Sequence, residues 1–240
     1  MNNNIQQILK SFGEAIKIFF DQNQELIRAI TEGLQKMPDN IKLVQDKLFR
    51  RGWYVLSDFD LNYLVEINEV SDNELDRLMV DHVSTQYQST FEKLVLVFPS
   101  RAEILKDCMW VHEQRRYSIS VPIMLIIADG ITFDMFGVSL FSKTNGEPKT
   151  KFARKKVINN CDDESIMDIF YLRPLDIVTS ISMNTEKLES INKNDVFYGP
   201  LNRHKIIHGH DTQYGTEENS YRCIVLLSYL MEIKNYYLSK

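Results

Sequence analysis

The sequence predicts an all-α helical bundle with an N-terminal helical extension. Three observations point there. Apolar residues recur at helical spacing through most of the 240 residues. With 9 Gly and 6 Pro, the chain is poor in the turn formers an all-β fold requires. Capping residues stand before several of the periodic runs. The expected division is an extension over residues 1–98 and a helical domain over 99–240, with a basic loop around 142–163.

Ile5, Ile8, Leu9, Phe12, Ile16, Phe19 and Phe20 make the apolar stripe of an amphipathic helix, and Leu26, Ile27, Ile30 and Leu34 continue it towards Pro38. Such a stripe suits packing on the body or on a second protomer. Residues 46–51 predict a helix ending at Gly52, with basic residues in its last turn. Ser71, Asp72 and Glu74 open a helix that carries Leu75, Leu78, Met79, Val83 and Phe91 towards Pro99, with room for one break. Ser100 with Glu103 reads as a capping box. The helix it would start has Ile104, Leu105, Cys108 and Met109 on its apolar face, and His112 and Glu113 on its solvated one.

Ser120 and Pro122 mark the next helix start, and residues 121–127 are apolar on all sides, which makes this helix central. A strand competes for so short a run, but Met124, Leu125 and Ala128 favour helix. Asp129-Gly130 is expected to close it. Residues 142–163 read as a loop, either solvated or facing phosphates, because Gly146, Pro148, Asn159 and Asn160 accompany Lys149, Lys151, Arg154, Lys155 and Lys156. Helical spacing returns over 163–182, bent or interrupted at Pro174, and again over 186–191. Thr216, Glu217 and Glu218 then open a last helix with Cys223, Leu226, Leu227, Leu230, Ile233 and Tyr237 on its core face.

The net charge of −5 argues against a general nucleic-acid coater, which needs basic surface, so any RNA contact should be local. Cys108, Cys161 and Cys223 are odd in number and show no metal spacing, which suits a reducing cytoplasm. No signal peptide is read at the N-terminus, and the longest apolar stretch, 121–128, falls far short of the ~20 residues of a membrane helix.

Chemistry concentrates in Gly199-Pro200-Leu201-Asn202-Arg203-His204-Lys205-Ile206-Ile207-His208-Gly209-His210-Asp211. Three of the five histidines lie within seven residues there. Histidine can give or take a proton near neutral pH, and arginine forks onto phosphate oxygens. Together they suit RNA cleavage by its own 2′-hydroxyl, with no metal or cofactor required. Arg203 and His208, five apart, stand roughly 140° around an ideal helix, so they converge only at a helix end, at a kink or across two chains. Two structural readings compete. One is a polar helix terminus with Arg203 paired to Glu217 or Glu218. The other is a zinc site from His204, His208 and His210 with Asp211.

The Asn202-Arg203-His204 and Ile206-Ile207-His208-Gly209 pattern resembles the Arg-x-x-x-x-His motif of the HEPN superfamily. Arg51-Gly52-Trp53-Tyr54 and residues 122–131 look similar to a poorly characterised bacterial group carrying the same motif. The resemblance implies a helical bundle, a homodimer and a metal-independent ribonuclease of a toxin or antiviral defence system, with an antitoxin or defence partner. It implies Arg203 and His208 as the catalytic pair. Asn202, His204, Lys205, His210 and Tyr214 would hold substrate, the last by stacking on a base. Some members have a modifiable Tyr two residues after the His; His210 stands there, so that regulation is not implied. Other members are non-catalytic nucleotide-binding or interaction modules.

Overall fold

The computed structural model describes residues 24–59, 61–158, 166–192 and 199–238. The amphipathic stripe from Ile5 to Phe20, and Cys161, lie outside them. The chain divides into two compact units, Met1–Asn40 and Ile41–Lys240. The second is an all-α helical bundle, as expected. Residues 41–98 belong to its core, so the boundary anticipated at residue 98 falls inside the body rather than at its edge.

The first described helix, α1 (Gln24–Arg51), runs through Pro38 and stops before Gly52 as predicted. A short helix absent from the sequence reading follows, α2 (Leu61–Glu69). Next come α3 (Asp72–Ser84) and α4 (Tyr87–Val97), separated by the one anticipated break. The capping box belongs to Ser71 and Glu74 at the start of α3, where side chain and backbone bond reciprocally. None forms at Ser100. Pro99–Arg101 winds into a 3-10 turn, which puts Ser100 inside the turn rather than in the extended backbone a cap needs. Helix α5 (Ala102–Glu113) then begins without a side-chain cap. Its His112 is buried, not solvated. It bonds Ser220 Oγ at 2.8 Å and packs among the rings of Tyr87, Tyr117 and Tyr221.

Helix α6 (Tyr117–Phe136) is the expected central helix, but it starts three residues before Ser120 and continues past Asp129-Gly130 to Phe136. Gly130 marks a close approach instead of an end. The Arg101 guanidinium lies over it, 2.8 Å from where a Cβ would stand, and pairs with Asp134.

The basic segment is ordered structure rather than loop. Asn145 and Gly146, both at positive φ, turn a hairpin of β1 (Lys143–Thr144) and β2 (Glu147–Pro148). Helix α7 (Lys149–Val157) follows. Its Arg154 is fully buried against Asp176, so it is a structural cation; Lys149, Lys155 and Lys156 stay exposed. Residues 159–165 lie outside the described ones. Helices α8 (Ile166–Asp176), uninterrupted by Pro174, and α9 (Thr185–Asn192) complete this side.

Helix α11 (Glu217–Ile233), preceded by the short α10 (Arg203–Ile207), is the axis of the bundle. Thr216 caps it as predicted. It packs on α6, α4, α3 and α8 and is buried on nearly every face, not on one stripe. Each buried Leu, Ile or Val contributes about 1.5–3 kcal/mol. Asn219, Ser220 and Arg222 come inside with them, each with a hydrogen-bond partner. Arg222, 0% exposed, donates to Asp76 at 2.8 Å, to the Arg51 carbonyl at 2.7 Å and to Asn219 at 3.0 Å, and lies 4.7 Å from the Trp53 ring centroid. Asp76 also accepts from Arg51 and from Trp53 Nε1.

Candidate functional site

The motif segment is pinned from both ends. Gly199 lies on the end of α1: its N–H donates to the Arg50 carbonyl at 2.5 Å, and an added Cβ would stand 2.6 Å from the Arg51 oxygen. Leu201 is fully buried, and the Arg203 N–H reaches the Ile181 carbonyl at 3.1 Å. Asn202, 1% exposed, then caps α10. Its Oδ1 accepts from the Lys205 N–H at 3.1 Å, and its Nδ2 donates to the Ser180 and Met183 carbonyls at 3.0 and 2.8 Å.

At the other end, Gly209 takes φ +72, the left-handed conformation that ends a helix. The Gly209 N–H bonds the Ile206 carbonyl at 3.1 Å and the His210 N–H bonds the Lys205 carbonyl at 2.8 Å, the two bonds of a Schellman end. Ile206 is the buried anchor on the inner side, where α10 packs on α6. The result is a turn and a half of helix with both termini fixed, which presents its charged side chains at the surface.

Those side chains divide between two hollows. Arg203 and His204 line a cleft of 160 Å³ with Phe141, Lys143 and residues 181–184. Lys205 and His210 line a wider groove of 670 Å³ with Tyr214. His208 is exposed between the two. Its ring centroid is 4.4 Å from that of His204 and 6.1 Å from that of His210. The closest pair is therefore His204 with His208, four apart and one helical turn above each other. Arg203 points instead to the hairpin side, its guanidinium 5.3 Å from the Phe141 ring centroid. Burial lowers the His204 pKa, and the charges of His208, Arg203, His210 and Lys143 lower it further. The neutral imidazole is thus favoured more than in a free histidine, beside the Arg203 and Lys143 cations that suit an anionic ligand.

Three expectations for this segment need correction. Asn202 holds no substrate, because its amide is buried and fully engaged within the fold. The Tyr214 hydroxyl donates to the Ser118 carbonyl at 2.9 Å, so the residue ties the loop to α6 while its ring lines the groove. Arg203 pairs with neither Glu217 nor Glu218. Glu218 holds Arg222 at 2.5 Å, and Glu217 accepts from Tyr117 at 3.0 Å. Lys205 lines the wider groove, in an ion pair with Glu189 at 3.0 Å. Among the described residues, no three His, Cys, Asp or Glu side chains converge as metal ligands would.

The sequence reading missed Phe141 and Lys143. The Asn145-Gly146 turn signal was there to be read, but which motif the hairpin would approach is a tertiary fact. Asn202→Ala is expected to lower stability by about 1–3 kcal/mol, because it removes a cap and strands two buried carbonyls. Urea unfolding measures this, and loss of motif function at unchanged stability would contradict the structural role. Compared with models of protein families, with curated proteins and with solved structures, the chain matches none.

Proposed function

We propose that the protein is a metal-independent endoribonuclease of a toxin or antiviral defence system. The observation that carries this is the edge-on contact of His204 and His208 on a short helix locked at both ends, with Arg203 on its first residue. Cleavage by a 2′-hydroxyl needs one group to take that proton, another to protonate the leaving 5′-oxygen, and a cation for the charge between them. His204, whose pKa is lowered, suits the base, His208 the acid, and Arg203 the phosphate clamp. Pentacoordinate phosphorus then collapses to a 2′,3′-cyclic phosphate and a free 5′-hydroxyl.

The same reading includes a homodimer. Ile119, Ile126 and Phe133, seven apart on α6, are 41%, 59% and 59% exposed. An apolar seam of this period on a helix that is apolar all round suits a second copy of α6. Since α10 packs on α6, such a pairing sets two motifs near one another. The buried free thiols of Cys108 and Cys223 agree with a reducing cytoplasm.

The test is incubation of the purified protein with mixed RNAs in EDTA, beside Arg203→Ala and His208→Ala. Cleavage that survives chelation and vanishes in both variants is expected. Intact RNA at high protein concentration would favour a non-catalytic interaction module, and cleavage abolished by EDTA would point to metal chemistry.

A further inference from the structure

We propose that the cleft between the β1–β2 hairpin and α10 is a phosphate-binding subsite, built by Lys143 and Arg203 around Phe141, with His204 on its wall and Lys187 beside it. The site rests on the reading of the motif as phosphate-directed and deepens it; phosphate binding is read without RNA, so it can be tested apart from cleavage. With Arg203 as the clamp on it, the bound phosphate sets where the RNA strand lies.

The charge around the cleft is unbalanced. Among the described residues, Lys143, Lys187 and Arg203 have no carboxylate partner. Of the acids on the same elements, Glu147 pairs with Lys151 at 2.6 Å and Glu189 with Lys205 at 3.0 Å, and Glu186 forms no ion pair with Lys143, Lys187 or Arg203. Elsewhere in the bundle buried cations meet acids, as Arg154 does with Asp176 and Arg222 with Asp76. Here the cations gather around a hollow instead. Burial lowers the Lys143 pKa and the neighbouring Lys187 ammonium lowers it further; His204 is shifted in the same direction, by desolvation first and then by its neighbours, Arg203 and Lys143 among them. An anion in the cleft would relieve every one of these repulsions at once.

The geometry fits the charge. The cleft holds 160 Å³, several times the ~30 Å³ share of one water. The Phe141 ring sits under the Arg203 guanidinium and restrains it, so less side-chain freedom is lost when it forks onto a phosphate. The tight Asn145-Gly146 turn sets the strand that carries Lys143, which pairs across the hairpin with Pro148 just before α7. Phosphate recognition by a fixed arginine fork plus a lysine point charge is common chemistry.

The experiment uses the full chain and inorganic phosphate as the probe. The His204 ring signals are followed by NMR, with chloride matching the ionic strength. A second arm compares uridine 5′-monophosphate with uridine, which separates a nucleotide phosphate from the free ion. Saturable shifts of His204 with phosphate and with the nucleotide, and none with uridine, are expected. Lys143→Ala should weaken binding roughly tenfold, as loss of a charge-assisted contact does. Lys143→Gln keeps most of the side-chain stem and guards against an unfolding artefact. Lys156→Ala, exposed on α7, should bind like the parent. Absence of saturation, or equal binding by parent and both Lys143 variants, would overturn the subsite. Phosphate binding without RNA cleavage would leave the subsite standing and remove the ribonuclease; cleavage without phosphate binding would do the reverse.

Discussion

Asp76→Ala is expected to destabilise the protein by about 3–5 kcal/mol, measured by urea unfolding. The carboxylate is the shared acceptor for Arg51, Trp53 Nε1 and Arg222, and both guanidiniums are buried. Removing it leaves two charges inside with their best counter-ion gone, and that penalty exceeds the worth of the pair itself. Asp76→Asn keeps the shape but not the charge and should lose most of the same stability. The pH dependence has a definite sign. Burial pushes the Asp76 pKa up, but the Arg51 hydrogen bond, the Arg222 charge and the Trp53 hydrogen bond outweigh it and hold the group below 3.8. Its contribution is therefore fully present above 3.8 and lost as pH falls through the lowered value. Acid unfolding that is identical in parent and Asp76→Asn would contradict this.

The second large effect is on cleavage. His204→Ala and His208→Ala are each expected to slow RNA cleavage by roughly 100- to 10,000-fold, the usual worth of a positioned acid or base. Arg203→Lys should also be slow, because a point charge replaces the fork. If His204 is the base, the rate rises with pH as its neutral fraction grows. That acidic limb should fall below 6.5, because desolvation, and then the neighbouring His208, Arg203, His210 and Lys143, lower the His204 pKa. In His204→Ala the limb should vanish from whatever activity remains. A limb that persists there would assign the base to another group.

Much of the bundle was legible because local signals and burial agreed. Thr216 with Glu217 and Glu218 marks the start of α11 by the same capping chemistry that the fold uses. Gly209 reads as a helix end because the left-handed conformation excludes most other residues. What failed was decided at a distance. Gly130 looks like a terminus in sequence, yet its missing side chain makes room for Arg101 from another helix. His112 has a polar neighbour in Glu113 and still goes inside, because Ser220 and three tyrosine rings receive it. The same division holds at the motif. The cluster of Arg203, His204 and His208 is plain in sequence, whereas the pairing within it is set by one helical turn and by the hairpin that brings Lys143 alongside. Asn202 was misread for a related reason: a capping amide and a ligand-binding amide look alike until their partners are known.

The most direct measurement is of the ends of the RNA that this protein leaves. After incubation in EDTA, the account predicts 2′,3′-cyclic phosphate and 5′-hydroxyl termini, formed by the parent and absent with His208→Ala. Fragments ending in 3′-hydroxyl and 5′-phosphate would contradict it, since water and not the neighbouring ribose oxygen would then have attacked the phosphorus.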